Sequence, residues 1–328
     1  MKRLTILTKP AGYCMEKGKY DGHVAVTRSL VEGLQKIDFN DFNYGANEEK
    51  DVAEQVHVLC NVSALKYAIE LKKNGRIKIL TAGPNIVPFP FEEEAIVTNP
   101  MIDKYLVPSD WIKRVYVQMA PNFEEGKNIF SWPAGVDTDF FCPDPGADRD
   151  NTVIVYHKSE SDQFCYKISY LLRKYGFLPI VFEYGGKSCE FLEKMGRSGK
   201  EKTRYSHEDF RRALNKACFS VVISNVETQG IALAEMWSMD VPTICYDPHY
   251  YRWEEEGAAI VECVDDISSC PYLSEKTGMR FSDFKEFESI LSVLKEKRKL
   301  FTPRNWALTH MSDGVCAKKF LDIVGIEA

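Results

Sequence analysis

Glu227 and Glu235 are two carboxylates that flank a predicted strand-to-helix turn in the segment VVISNVETQGIALAEMWSMDVPTICY, residues 221–246. Carboxylates accept hydrogen bonds from hydroxyl groups. If the whole segment were helical, the two residues would lie ~12 Å apart along the axis. That span would let one hold a hexose and the other a ribose diol across a pyrophosphate. The alternative is structural, with Glu227 as a charge partner of the helix N-terminus and Glu235 as a solvated helix position.

The turn between the two carboxylates is predicted to bind an anion. Residues 221–223 are apolar and predict a buried strand, and residues 231–239 are good helix formers. The N–H groups of a first helical turn have no partner inside the helix, and the helix dipole adds partial positive charge. A glycine in this turn would let a phosphate approach the backbone. The amides assigned to the site are those of Thr228, Gln229, Gly230 and Ile231.

Two segments resemble a known family. ETQGIALAE (227–235) followed by MWSMDVPTI (236–244) is similar to the donor-binding signature of retaining glycosyltransferases of family 4, which have the GT-B fold. The family's segment that leads to its domain junction is similar to VPSDWIKRVY (107–116) and IFSWPAGVDTDFFCPD (129–144). The resemblance implies an α/β protein with two Rossmann-like domains, an interdomain cleft and a C-terminal helix that crosses back to the first domain.

The resemblance also implies a reaction. A retaining hexosyltransferase would move a sugar from a nucleotide-diphosphate sugar to a glycan or other hydroxyl acceptor. Glu227 would position the transferred sugar, and Glu235 would hold the ribose. Lys158 and the amides of the turn would stabilise the leaving diphosphate. No general base stands out in the sequence, so the leaving phosphate itself would take the acceptor proton.

The phosphate-binding cations depart from the family pattern. The family places an arginine after the first strand of the second domain and a lysine about five residues later. In VIVYHKSESDQF (153–164), Lys158 fits the first position, but the second falls near Gln163, which has no charge. Lysine lacks the bidentate fork of arginine. Lys202 and Arg204 are possible replacements, with surface solubility as their alternative role.

Further candidates come from glycine-containing turns. VFEYGGKS (181–188) resembles the family's turn near the nucleotide, which adds Tyr184, Gly185 and Gly186 to the donor side. Gly22 and His23 lie where the family has a glycine-rich turn before its first helix. They are assigned to the acceptor or phosphate side, with a mobile loop as the alternative.

Other residues that shape acceptor binding are less specific. The loop TAGPNIVPFPFEEE (81–94) carries three prolines and is the first domain's best candidate for this role. Exposed aromatic side chains could grip a glycan, although packing is the commoner use of any one of them. The aromatic candidates are Trp111, Tyr250, Tyr251 and Trp253.

We expect no obligatory metal and no cofactor beyond the donor substrate. Asp137 and Asp139 form a D-T-D sequence, but it lies in the junction segment. The net charge of -6 argues against nonspecific nucleic-acid binding. The ten cysteines form no C-x-x-C pair, and most are expected to be small buried residues of a reducing compartment. The first ten residues hold no signal-peptide core or spanning helix, so we expect a cytoplasmic protein.

Apolar runs alternate with helical patterns in both halves, which is typical of parallel sheets covered by helices. The linker PDPGADRDN separates an acceptor-side domain, 1–145, from a nucleotide-sugar domain, 146–302, and a helix over 303–325 is expected to return to the first. Predicted strands are 4–8, 57–60, 77–81, 105–107, 152–156, 179–183, 219–223 and 242–245. Predicted helices are 23–36, 64–73, 110–119, 162–175, 188–195, 207–217, 231–239, 284–297 and 306–324 with a start at 303.

Two other functions stay open. A sugar-nucleotide epimerase of the same fold would interconvert free nucleotide sugars with no acceptor present. A catalytically silent sugar-nucleotide-binding or scaffold protein is suggested by the missing second cation, and it would bind donors without turnover. The base, the sugar, the acceptor, the linkage and the oligomeric state depend on side chains that converge from loops, and the sequence does not define them.

Overall fold

Two compact α/β units make up the chain. The computed structural model describes residues 2–8, 22–45, 52–183, 187–189, 203–255, 258–264 and 267–327. The first unit comprises residues 1–135 and 311–328, and the second comprises residues 136–310. Each unit has its own largely parallel sheet with helices, so the predicted class of two Rossmann-like domains is confirmed.

The first unit contains a six-stranded sheet in the order β2-β1-β3-β4-β5-β6, and all of its strand pairs are parallel. All four residues of β1 are buried, as expected for a parallel strand covered on both faces. The strands are β1 (Leu4–Leu7), β2 (Phe42–Gly45), β3 (Gln55–Val58), β4 (Ile79–Ala82), β5 (Lys104–Val107) and β6 (Ile129–Ser131). The longer helices before residue 135 are α1 (Gly22–Lys36), α2 (Val62–Lys73) and α3 (Asp110–Met119), and short helical segments cover Glu92–Ala95 and Ile96–Thr98.

The second unit contains a seven-stranded sheet in the order β10-β9-β8-β7-β11-β12-β15. It is parallel from β8 to β15, and β9 and β10 add an antiparallel edge. The strands are β7 (Thr152–His157), β8 (Leu178–Glu183), β9 (Lys187–Cys189), β10 (Thr203–Arg204), β11 (Ala217–Ile223), β12 (Thr243–Tyr246) and β15 (Gly278–Phe281), and a separate ribbon pairs β13 (Tyr250–Glu255) with β14 (Ala258–Val264). The helices are α4 (Asp162–Lys174), α5 (His207–Lys216), α6 (Ile231–Ser238), α7 (Phe284–Lys297) and α8 (Pro303–His310).

Side-chain caps fix where several helices begin. Ser206 caps α5 in a reciprocal capping box with Asp209, and Ser161 accepts the Phe164 N–H at the start of α4. Asp283 accepts two N–H groups at the start of α7. Each cap satisfies amides that have no partner inside the helix. These short polar residues therefore fix the junctions between strands and helices.

The tail returns to the first unit, as predicted, but through a shorter helix than expected. The helix predicted to continue from Pro303 to Val324 is two helices, α8 and α9 (Asp313–Val324), and only α9 belongs to the first unit. Ser312 is the N-cap residue of α9, with extended backbone angles that end the earlier helical path. The boundary expected near residue 145 falls between Gly135 and Val136 in the structure.

Several short strands were missed. β2 and β6 have four and three residues, too few for a pattern to develop. β15 begins with Gly278, which usually argues against a strand interior. Here a Cβ at Gly278 would lie 1.8 Å from the Thr243 carbonyl oxygen, so glycine allows the two backbones to approach. The helix predicted over 188–195 is wrong at its start, since Lys187–Cys189 is a strand paired with β8, and residues 190–195 lie outside the described residues.

In the parts of the chain that the structure describes, no helix has the length and apolar character needed to cross a bilayer. The free cysteines among these residues are mostly buried, in agreement with their expected use as small apolar side chains.

His57 on β3 makes the stability of the first unit depend on pH. Its ring is fully buried, contacts Thr81 Oγ1 through Nδ1 at 2.9 Å and packs edge-on against Phe320. Burial lowers the pKa of His57 to about 3, from its ordinary value of 6.5. Between these values the unfolded chain takes up a proton that the folded chain does not. As the pH drops below about 6.5, the free energy of unfolding therefore decreases, by up to ~1.4 kcal/mol per pH unit.

We expect the free energy of unfolding to be about 1.4 kcal/mol lower at pH 5.5 than at pH 7.5 because of this one group. Urea unfolding at both pH values would measure the difference. The His57→Gln variant cannot titrate at this position and should lose that part of the pH dependence. An unchanged slope in the variant would contradict the assignment.

Candidate functional site

Lys158 and Glu227 form an ion pair at the carboxyl edge of the second sheet. Lys158 Nζ lies 2.6 Å from Glu227 Oε2, and the two side chains are 25% and 17% exposed. The last residue of β7 is the register partner of the last residue of β11, Ile223, so the chain segments that follow them leave the sheet side by side. The Lys158 N–H donates to the Ile223 carbonyl oxygen at 2.9 Å. The structure thus brings together the two residues predicted to be catalytic.

A polar network after β12 fixes the backbone of Glu227. The Glu227 N–H donates to the Ser268 carbonyl oxygen at 3.0 Å. Ser268 Oγ and the Ser269 N–H donate to the two carboxylate oxygens of Asp247 at 2.8 and 3.0 Å. Asp247 is 1% exposed, and Arg280 Nε lies 3.2 Å from its Oδ2 atom. Asp247 therefore acts as a positioning residue, and it is one that the sequence interpretation missed.

Gly230 is the N-cap residue of α6 and has left-handed backbone angles, φ 70° and ψ 44°. A Cβ at this position would lie 2.9 Å from Leu233 Cδ1 and 3.5 Å from Glu227 Cγ. Glycine is therefore needed both for the positive φ and for the close contact. Because the Glu227 side chain lies against Gly230, the ion pair is at the N-terminus of α6. The other predicted amides, of Thr228, Gln229 and Ile231, belong to this same turn.

Glu235 is buried on α6, with only 4% of its surface exposed. The alternative interpretation of a solvated helix position is therefore wrong for this residue. Its Oε1 atom lies 3.6 Å from His207 Nε2. Burial and the nearby Glu235 charge raise the pKa of Tyr205 well above its usual range. Helical side chains lean toward the N-terminus of their helix, so Glu235 leans toward the turn that begins α6.

Opposite charges at this turn can bind different parts of a polar ligand, anionic groups at one point and hydroxyl groups at another. The N-terminus of α6 and the Lys158 ammonium favour an anion, and an ammonium can contact a carboxylate and a phosphate oxygen at once. Glu227 and Glu235 favour hydroxyl donors. Their burial lowers the local dielectric, which strengthens each of these interactions relative to bulk water.

Three potential metal ligands lie at the same sheet edge. His157 ends β7, Glu183 ends β8 as its register partner, and Asp162 opens α4. One ligand atom from each lies within 4.8 Å of the other two, the only such group found among the described residues. The sequence interpretation named none of the three, because they are brought together by strand register and not by a local motif.

The remaining predicted residues lie elsewhere or outside the described residues. Gly22 and His23 open α1 in the first unit, where Gly22 is exposed and His23 half-buried. Trp111 is buried at 7% exposure, which fits packing, and Tyr250 is 43% exposed. Arg204 lies on β10, and the backbones of Tyr251 and Trp253 lie on β13. Tyr184, Gly185, Gly186 and Lys202 lie outside the described residues.

Comparison with known proteins supports the fold and leaves the chemistry open. No protein-family model matches the chain, and no curated protein matches it in sequence. Among solved structures, HepE of Anabaena, crystallised with UDP and glucose, has a TM-score of 0.63 at 9% identity and covers 98% of this chain and 99% of its own.

Two further structures give a similar result. Sucrose-phosphate synthase from Thermosynechococcus elongatus has a TM-score of 0.64 at 13% identity over 98% of both chains. The lipopolysaccharide outer core galactosyltransferase WaaB has a TM-score of 0.56 at 12% identity over 99% of both chains. At these identities the similarity establishes architecture alone, and that architecture is the GT-B fold of glycosyltransferases.

Proposed function

We propose that this protein is a glycosyltransferase that moves a sugar from a nucleotide-diphosphate sugar to a hydroxyl acceptor, with retention of configuration. One observation carries the proposal: the Lys158–Glu227 pair lies at the carboxyl edge of a parallel sheet, against the N-terminus of a helix that buries Glu235. In open α/β sheets, ligands bind at this edge. HepE, which shares the fold, was crystallised with UDP and glucose.

The roles follow from the chemistry of each group. The leaving diphosphate gains negative charge as its bond to the anomeric carbon breaks, and fixed positive dipoles stabilise that charge. The first-turn amides of α6 and Lys158 supply this stabilisation. Glu227, held by both Lys158 and the Ser268 carbonyl, positions the transferred sugar. Glu235 accepts hydrogen bonds from the ribose diol, and the leaving phosphate takes the proton of the acceptor hydroxyl.

The nucleotide site can be tested by binding before the acceptor is known. Nucleoside diphosphates and their sugars should be screened by thermal shift, since a ligand at 100 times its Kd stabilises the fold by ~2.7 kcal/mol. We expect one nucleotide series to raise the melting temperature with increasing concentration. For that ligand, Glu235→Gln should raise Kd about 10- to 150-fold, because a hydrogen bond to a charged group is worth ~1.5–3 kcal/mol.

Glu288→Gln is the matched control, since Glu288 pairs with Lys174 on the exposed surface of the same unit. It should leave Kd unchanged. Absence of binding across the panel, or equal Kd in wild type and Glu235→Gln, would overturn the assignment. Incubation of the donor with the protein in the absence of any acceptor distinguishes the epimerase alternative from a glycosyltransferase. An epimerase would convert the donor into a second nucleotide sugar.

A further inference from the structure

We infer that His157, Asp162 and Glu183 form a binding site for a divalent transition-metal ion such as Mn²⁺. The inference deepens the proposed function, because the ion would lie at the same sheet edge as the Lys158–Glu227 pair. The sequence alone gave no reason to expect a metal. The geometry of the three side chains now gives one.

The ligand set is chemically consistent with such an ion. Two carboxylate oxygens suit Mn²⁺ and Mg²⁺, and an imidazole nitrogen favours transition metals, so the mixed set selects an ion that accepts both. The three ligand atoms lie within 4.8 Å of one another. Around an ion with bonds of ~2.1 Å, neighbouring ligands are about 3–4 Å apart. Asp162 is exposed and Glu183 is half-buried, so metal binding would require these two side chains to move closer together.

A second contact orients the histidine for metal binding. His157 is 9% exposed, and its Nε2 atom is hydrogen-bonded to the Glu160 carbonyl oxygen. A carbonyl oxygen can only accept, so Nε2 carries the proton and Nδ1 keeps its lone pair. Metal-binding histidines commonly donate their second ring N–H to a backbone carbonyl in this way. This contact leaves Nδ1 as the ring nitrogen that would bind the ion.

The charge balance explains what the ion would supply. Asp162 and Glu183 offer carboxylate oxygens, and a bound divalent ion would add positive charge beside them. The ligand residue His157 directly precedes Lys158 in the chain. A bound ion with open coordination positions would add a second cation at the sheet edge that carries Lys158, and it would contact diphosphate oxygens.

Direct Mn²⁺ binding tests the site without any nucleotide. The purified chain should be titrated with Mn²⁺ alone, and binding is detected as the loss of the electron paramagnetic resonance signal of the free ion. We expect one binding site. Asp162→Asn and Glu183→Gln should each weaken binding at least tenfold. Glu288→Gln, which removes a carboxylate of the same unit that is paired with Lys174 outside this site, should not. Nitrogen coupling to the bound ion in pulsed spectra should disappear in His157→Gln.

The outcomes separate this site from the proposed function. Absence of Mn²⁺ binding at millimolar concentration, or equal binding by wild type, Asp162→Asn and Glu183→Gln, would overturn the metal site. Asp162 is exposed, so its variant is expected to fold, and thermal melting checks this. If Mn²⁺ binds at these residues but no nucleoside diphosphate binds with or without it, the metal site stands and the transferase proposal fails. If both hold, Mn²⁺ should lower the Kd of the nucleotide, and Asp162→Asn should abolish that effect.

Discussion

Lys158→Met is expected to lower kcat for sugar transfer by about 10²–10³-fold, the usual cost of removing one preorganised group that stabilises developing negative charge. Lys158 is three-quarters buried and contacts Glu227 at 2.6 Å, so its ammonium group is held in place before a donor binds. The substitution also leaves the Glu227 carboxylate without this ion pair. Initial rates with the donor identified by binding, at saturating concentrations, would measure the change.

Lys174→Met provides the control for this prediction. Lys174 is also a lysine in an ion pair, 2.8 Å from Glu288, but it lies on the exposed side of α4. Its substitution should leave kcat within about twofold, because exposed ion pairs contribute little. The double variant Lys158→Met with Glu227→Gln should lose less than the product of the two single effects, since paired residues are not independent. A kcat for Lys158→Met close to that of wild type would refute the role.

Phe320→Ala is expected to destabilise the first unit by about 3–5 kcal/mol, the usual cost of truncating a buried aromatic side chain. Phe320 is fully buried on α9 and packs edge-on against both His57 and Trp132, with ring centroids 4.7 and 5.6 Å apart. Its loss would leave a cavity between the last helix and the sheet. The free energy of unfolding by urea, monitored by circular dichroism, would measure the effect.

Lys318→Ala, an exposed change on the same helix, should stay within about 0.5 kcal/mol of wild type. The neighbouring polar contacts of α9 remain in both variants, including the bond from Trp132 Nε1 to the Cys316 carbonyl oxygen at 2.9 Å. If Phe320→Ala were as stable as Lys318→Ala, the helix would not be part of the core of this unit.

The sequence predicted the fold where its signals were local. Alternating buried strands and capped helices were readable because each element carries its own pattern, as α3 and α7 show by having the predicted bounds. The failures were elements defined by distant partners. Gly278 opens a strand only because Thr243 lies against it, and the break at Ser312 separates helices that pack in different units.

The residues of the candidate site also fall into those that local sequence signals predicted and those that they did not. Glu227 and the turn at Gly230 were predicted from one strand-to-helix segment, and Lys158 was predicted from a family resemblance. The structure places Lys158 2.6 Å from Glu227 and Glu227 against Gly230. Asp247 and the group of His157, Asp162 and Glu183 were missed. They lie at one edge of the sheet because β7, β8, β11 and β12 are parallel, which no single segment of sequence reveals.

The division of the chain also has a consequence for its synthesis. The first unit is interrupted, since its last segment begins only at Met311, whereas the second is continuous from Val136 to His310. At ~5–20 residues per second, a ribosome needs roughly 10–35 s after residue 135 before it adds the segment that contains Phe320. During that interval His57 and Trp132 lack the Phe320 ring that they contact in the folded unit. The first unit, most of which is synthesised first, can therefore complete its folding only after the whole second unit has been synthesised.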